Sequence, residues 1–257
     1  MISLILFGAE GRMGSAVEHA ARAAGDMRIK ARIDRVSPQS AAAGKMPDSA
    51  LPEPARHGDV VVDFSSPEGT LAACGLCEAS GAALVSGTTG LGAEHEARLA
   101  ALSARAPVLR AMNFSLGVLA LRRAVAAALA ALPASWDVEI VERHHRLKID
   151  APSGTALALA QDVASRRDLT ETAFRHGRHG RTGERPAGEI GIHAVRGGSW
   201  VGDHAVLVAG EGEWLELRHV TQDRSAFACG VLAAARFVAH AAPGLYHLED
   251  AAPGGRA

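Results

Sequence analysis

The chain has 257 residues, 48% of them hydrophobic, with 27 Lys plus Arg against 28 Asp plus Glu, a formal net charge of −1 and three cysteines. That length buries a full core and suits two domains. Near-neutrality argues against a nucleic-acid or anionic-membrane partner, and three cysteines cannot build a disulfide framework. The opening apolar segment is too short for a signal peptide, and no stretch would span a bilayer. A cytoplasmic protein is expected.

Ile2 to Phe7 reads as a short apolar strand, followed by Gly8-Ala9-Glu10-Gly11-Arg12-Met13-Gly14 and a helical run from Ser15 to Ala24. Glycines spaced G-x-x-G-x-x-G permit a tight turn and let backbone N–H groups approach a pyrophosphate at the helix start. The spacing alone is weak, because glycine is abundant here (28 residues); the strand before and helix after strengthen it. A second strand, Ile29 to Ile33, ends at Asp34, about twenty residues on, where an acid accepts bonds from an adenosine ribose. Arg35 follows and suits a 2′-phosphate; the bland alternative for the pair is a solvated turn.

Further strands are expected at Asp59 to Phe64, Leu84 to Ser86 and Pro107 to Ala111. Helices are expected at Glu68 to Ser80, Glu94 to Ala104 and Gly117 to Leu132. Alternating strands and helices imply a doubly wound parallel α/β sheet of Rossmann-like type, with ligands beyond the carboxyl ends of its strands. Those ends carry the Gly8 loop, Asp34, Phe64-Ser65-Ser66, Gly87-Thr88-Thr89 and Asn113-Phe114. Cys74 and Cys77 have redox-motif spacing but sit in an Ala-rich helical run, and read as small buried residues.

Beyond residue 132 the character changes. A strand through Val138 and Ile140 leads to Glu142-Arg143-His144-His145-Arg146-Leu147-Lys148-Ile149-Asp150-Ala151-Pro152-Ser153-Gly154-Thr155. Pro152 disfavours helix at Ala151, so these charges are placed on a strand-to-helix connection, with Ser153 as N-cap of an apolar helix. Imidazoles titrate near neutral pH, and the amides of a helix start bind anions. The run is therefore suited to hold a carboxylate and deliver a proton. Lys148 is one of only three lysines; a compact ammonium shifts its pKa on burial as a guanidinium does not. Strands are then expected at Glu189 to Val195, His204 to Ala209 and Trp214 to Val220. Residues 175–188, with four Gly and four Arg, read as a mobile loop. The Ala-rich stretch from Ser225 to Ala241 reads as a helix that returns to the first domain, and the residues from Ala251 on as a disordered tail.

Two other classes share some of these features. A zinc site could draw on His144, His145, His176 and His179, but the interleaved Arg and Lys repel a cation and no helical His pair accompanies them. No metal is expected. A non-catalytic dinucleotide sensor would keep the glycine loop and has no need of residues 144–155. A different small-substrate dehydrogenase on the same architecture is the nearest alternative.

Over nearly its whole length the chain resembles the 4-hydroxy-tetrahydrodipicolinate reductase (dihydrodipicolinate reductase) family. His-His-Arg-Leu-Lys-Ile-Asp-Ala-Pro-Ser-Gly-Thr-Ala at 144–156 is the most specific segment. Gly-Arg-Met-Gly at 11–14, Gly-Thr-Thr-Gly at 87–90, Asn-Phe-Ser at 113–115 and His-Ala-Val-Arg-Gly-Gly at 193–198 accompany it. The resemblance implies an NAD(P)H-dependent reductase of diaminopimelate and lysine biosynthesis, a homotetramer built through its second domain. It implies His144 as proton donor with Lys148 as catalytic partner, and His145, Gly154 and Thr155 as substrate contacts. Cofactor contacts fall by the same match on Gly8, Ala9, Glu10, Gly11, Arg12 and Met13, on Asp34 and Arg35, on Gly87, Thr88 and Thr89, and on Ala111, Met112, Asn113 and Phe114. Adjacent Asp34 and Arg35 favour NADH and NADPH respectively, so both are expected to serve. Residues 1–115 with 225–257 are expected to form the dinucleotide-binding domain, and 116–224 a smaller α+β domain for substrate and assembly. Two departures stand out: Arg143 in place of a small or acidic residue, and Arg218-His219-Val220-Thr221 in place of a Thr-His-Arg-Ala-like run.

Overall fold

The structure, a computed structural model, describes residues 1–34, 51 and 53–254. Internal contacts divide the chain into one unit of Met1–Leu116 with Arg224–Ala257, and a second of Gly117–Asp223.

The first unit holds β1 (Ile2–Phe7), α1 (Arg12–Ala24), β2 (Met27–Ile33), β3 (Asp59–Asp63), α2 (Pro67–Ser80), β4 (Ala83–Ser86), α3 (Ala93–Ser103) and β5 (Pro107–Arg110). The helix α4 (Leu116–Ala131) leads into the second unit. β1, β3, β4 and β5 are buried along nearly their whole length, Val60, Val61 and Val62 almost completely, while β2 exposes Arg28 and Arg32. Such continuous apolar runs belong to a parallel sheet covered on both faces. With the later strand β11 (Gly244–Tyr246) at one edge, the sheet order is β11-β5-β4-β3-β1-β2, and every neighbouring pair is parallel. Ile5, Phe7, Val61, Leu84 and Val108 pack on α2 and α3 through Ala72, Ala73, Leu99 and Leu102. The chain moves outward from β1 to β2, then crosses back to β3 on the other side of β1. That reversal opens the crevice at the strands' carboxyl ends.

From the second unit the chain returns as α6 (Ser225–Val238), which packs against α1 and against β3, β4 and β5. Two elements not expected from sequence then close the unit: β11 (Gly244–Tyr246), parallel to β5 at the sheet edge, and α7 (Leu248–Ala251). At three and four residues they are too short to show a period. Cys74 and Cys77 are fully buried on α2, and burial pushes the Cys74 thiol up to about 12. Neither thiol supplies a thiolate at neutral pH.

The second unit contains β6 (Asp137–His144), α5 (Gly154–Arg166), a 3₁₀ turn at Glu171–Ala173, β7 (Phe174–His176), β8 (Ile190–Arg196), β9 (Gly202–Ala209) and β10 (Trp214–Thr221). The order is β10-β9-β6-β8-β7, antiparallel on the β9 side of β6 and parallel on the β8 side. Val138, Ile140, Ile190, Ile192, Val206 and Val208 bury one face against Leu159 and Val163 of α5 and Val125 of α4. The opposite face carries Glu139, Arg143 and Asp203, with Trp214 and Val220 exposed.

The segment expected to be a mobile loop begins with β7 and is tied to the sheet. Arg178 donates two hydrogen bonds to Glu139, 3.1 and 2.6 Å, and Arg185 Nε donates a third at 3.0 Å. Two of the arginines that made the segment look like solvated chain are anchors for it. The two departures from the family pattern also share a partner. Arg143 donates to Asp203 at 3.0 Å, and Arg218 donates a bidentate pair to the same carboxylate at 2.9 and 2.6 Å. Hydrogen bonds from Arg218 and Arg143 hold the Asp203 carboxyl below its ordinary range. No helix among the described residues is long and apolar enough to cross a membrane.

Candidate active site

At the end of β1 the backbone turns through Gly8 at φ +75, a left-handed conformation that side chains disfavour. A Cβ at Gly8 would collide with the Phe64 carbonyl, and one at Gly14 with the Gly8 carbonyl. These two glycines therefore set how closely α1 approaches the tips of β1 and β3. Gly11 is the N-cap of α1, and no side chain caps that start. Its outward amides and its end of the helix dipole suit an anion, so this cradle fits a dinucleotide pyrophosphate. Asp34 Oδ1 accepts from the Glu10 amide at 2.7 Å, pinning the loop to the end of β2. Arg35 lies outside the described residues.

The neighbouring strand ends are cross-linked. Asp63, fully buried at the end of β3, accepts from Thr70 Oγ1 at 2.6 Å and Ser86 Oγ at 3.3 Å, while its carbonyl accepts from the Gly87 amide at 2.9 Å. Thr88 Oγ1 accepts from the Ser65 amide at 3.0 Å. The Phe64 and Phe114 rings meet edge to face at 5.4 Å, and the Ala111 amide donates to the Ser86 carbonyl at 3.2 Å. Ala9, Thr88 and Phe114 are buried, whereas Glu10, Arg12, Thr89 and Met112 are exposed. The expected cofactor residues of this unit, Arg35 apart, thus stand at the carboxyl ends of β1, β2, β4 and β5 in one sheet.

In the second unit β6 runs further than its apolar residues suggested. Glu142, Arg143 and His144 were expected in the connection; they continue the strand, and its burial alternates through Val138, Ile140, Glu142 and His144. The strand can continue because the buried charge is satisfied on every side. Glu142, with no exposed surface, accepts from His144 Nδ1 at 2.6 Å, from Arg196 Nη1 and Nη2 at 2.7 Å each, and from the Ser153 amide at 3.0 Å. Burial alone would raise this carboxyl. The bonds from His144, Arg196 and Ser153 outweigh it and hold the group at about 2.

With Nδ1 engaged by a carboxylate, His144 turns Nε2 away from Glu142. A Cβ at Gly202 would stand 3.3 Å from that nitrogen, so glycine keeps the space beside it open. Ser153 caps α5, its hydroxyl accepting from the Ala156 amide at 3.2 Å. A Cβ at Gly154 would meet nothing within 4 Å, so the helix start is open there. The His145 Nδ1 is buried without a hydrogen-bond partner among the described residues. Lys148, largely buried, donates to Asp150 at 2.8 Å rather than joining the Glu142 cluster.

Sequence reasoning passed over Arg196 and His204. Both lie where the buried face of a strand changes from apolar to polar: β8 passes from Ile190 and Ile192 to Arg196, and β9 carries His204 before Val206 and Val208, at the level of Glu142 and His144. That shared switch was the available signal.

Family models described as dihydrodipicolinate reductase, N-terminus and C-terminus, match residues 2–114 and 117–251. A 4-hydroxy-tetrahydrodipicolinate reductase of Myxococcus xanthus is 41% identical, with 97% of each chain covered. One of Caulobacter vibrioides is 42% identical, covering 97% of this chain and 96% of the relative. Among solved structures, a dipicolinate-bound dihydrodipicolinate reductase from Paenisporosarcina sp. TG-14 has a TM-score of 0.73 at 25% identity, covering 96% of this chain and 97% of that one.

The Glu142 cluster has a pH signature. A folded value of about 2 against an ordinary 4.5 means that its stabilisation is complete above about 4.5 and is lost as pH falls through about 2. We expect Glu142→Gln to lower the free energy of unfolding at pH 7 by on the order of 3 kcal/mol. The gap to wild type should narrow steadily below pH 4.5. Denaturant titrations across that range check it; a gap independent of pH would show that Glu142 is not an ionised buried partner.

Proposed function

The chain belongs to the dihydrodipicolinate reductase family and reduces 4-hydroxy-tetrahydrodipicolinate to tetrahydrodipicolinate with hydride from a nicotinamide cofactor, and we propose the roles its own residues take in that reaction. The observation that carries the reading is His144 held through Nδ1 by the buried Glu142. Protein groups supply binding, orientation and protons, while the nicotinamide, when bound, supplies hydride.

Loss of the 4-hydroxyl as water places a C=C bond in conjugation with the ring imine; hydride added at the former hydroxyl carbon would leave an electron-rich enamine, which must gain a proton at its β-carbon to restore the imine. His144 donates it from Nε2 and keeps Nδ1–H on Glu142. Glu142 thus sets which nitrogen exchanges protons. Lys148 is its catalytic partner, a compact cation beside developing negative charge. The substrate's carboxylates are held by the α5 start at Gly154 and Thr155 and by His145; the Paenisporosarcina protein is described as binding dipicolinate, likewise a dicarboxylate. The open helix end and the unpartnered imidazole nitrogen support that reading.

The first unit serves as the dinucleotide-binding domain. Gly8 through Met13 embrace the pyrophosphate, Asp34 with Arg35 the adenosine ribose, and Gly87, Thr88, Thr89 and the Ala111 to Phe114 segment the nicotinamide half. The second unit binds substrate and assembles a homotetramer through the sheet face that carries exposed Trp214 and Val220. The enzyme works in the cytoplasm.

For catalysis, His144→Ala should retain cofactor affinity and lose about 10²–10⁴-fold in kcat, and Lys148→Arg should not restore a Lys148 loss. Near-normal kcat in the first variant would remove His144 from its role. For the cofactor, use of both NADH and NADPH within about 100-fold is expected. Arg35→Ala should weaken NADPH far more than NADH, and equal losses would rule out a phosphate contact. For assembly, light scattering at micromolar concentration should give four subunits; a monomer contradicts it.

A further inference from the structure

We propose that His204 is a positioning residue for proton donation, fixing the His144 ring from the β9 side. This rests on the assignment of His144 as donor. On the buried face of the second sheet His204 stands directly opposite Glu142, in register between β9 and β6. It is 3% exposed, and its ring meets that of His144 edge to face, with centroids 5.1 Å apart and planes at 73°. Its Nε2 lies 3.1 Å from Ser153 Oγ, in hydrogen-bond contact.

These contacts close a circuit. His144 is bonded to Glu142, Glu142 accepts from the Ser153 amide, the Ser153 hydroxyl meets His204, and the His204 ring packs back on His144. Glu142 constrains one nitrogen of His144 but leaves the ring free to swing about that bond. An edge-to-face neighbour removes the swing. A charged neighbour would do so badly, because it would repel an imidazolium. Burial, and next the nearby His144, push His204 down to about 4, so it is neutral where the enzyme works. The pair therefore holds two imidazoles of which one carries the exchangeable charge. Gly202, two residues back on the same strand face, leaves the space at His144 Nε2 open. β9 thus both walls the ring and clears its working nitrogen.

The test is a double-mutant cycle in kcat and KM. His204→Ala should lower kcat by about 10-fold or more, towards the ~10²-fold cost of a misplaced group, with KM for imine and cofactor little changed. Placed in the His144→Ala background it should lower kcat no further, because His204 acts through His144 alone. His204→Phe, which keeps the ring contact, should recover most of the loss; His204→Asn, which keeps only a polar partner for Ser153, should not. Those two variants carry the test if His204→Ala is too unstable to assay. The proposal is overturned by a wild-type kcat in His204→Ala, by the same loss in both backgrounds, or by recovery in Asn and not in Phe. High activity of His144→Ala alone would instead overturn the donor assignment.

Discussion

A carboxylate with no access to water must be paid in hydrogen bonds, and Glu142 sets the geometry of the second unit on that account. Leaving such a charge uncompensated is strongly destabilising, by about 3–5 kcal/mol where one partner of a buried pair is removed. Three pieces of chain meet the demand: the end of β6 through His144, the end of β8 through Arg196, and the start of α5 through the Ser153 amide. The same bonds that satisfy the charge bring an imidazole, a guanidinium and a helix N-terminus to one place. The proposed proton donor and the amides of the helix start are adjacent because one buried anion recruits both.

The first unit solves its problem with backbone instead. Its crevice follows from the order of the parallel sheet, and the close approach of α1 to β1 and β3 follows from Gly8 and Gly14. Buried Asp63 ties Thr70 and Ser86 across neighbouring elements, and Asp34 holds the glycine loop by an amide. A pocket of amides suits a ligand whose charge is spread over phosphates; a single aimed imidazole suits one proton.

Much of this was legible in the residues. Val60 to Val62 could be little but a strand buried on both faces, and the glycine spacing gave the tight turn between β1 and α1. His144 and the Ser153-Gly154 helix start, grouped by their closeness in sequence, meet in the structure at Glu142. The role of Glu142 was harder to see, because a glutamate beside arginine and histidine looks like solvated loop. Its true place follows from the two-residue period that runs from Val138 to His144. Arg178 and Arg185 were opaque for a related reason: their partner Glu139 lies far off in sequence, and no local pattern points to it. β7, β11 and α7 were missed because elements of three or four residues have no period to read.

The Glu142 carboxylate, 2.6 Å from His144 Nδ1, should keep the proton on that nitrogen and leave Nε2 to exchange. The most direct measurement is ¹⁵N NMR of histidine-labelled enzyme through a pH titration, with the His144 signals assigned by their loss in His144→Gln. Nδ1 should stay protonated throughout while Nε2 gains and loses its proton. A neutral His144 protonated at Nε2, with Nδ1 bare, would contradict it.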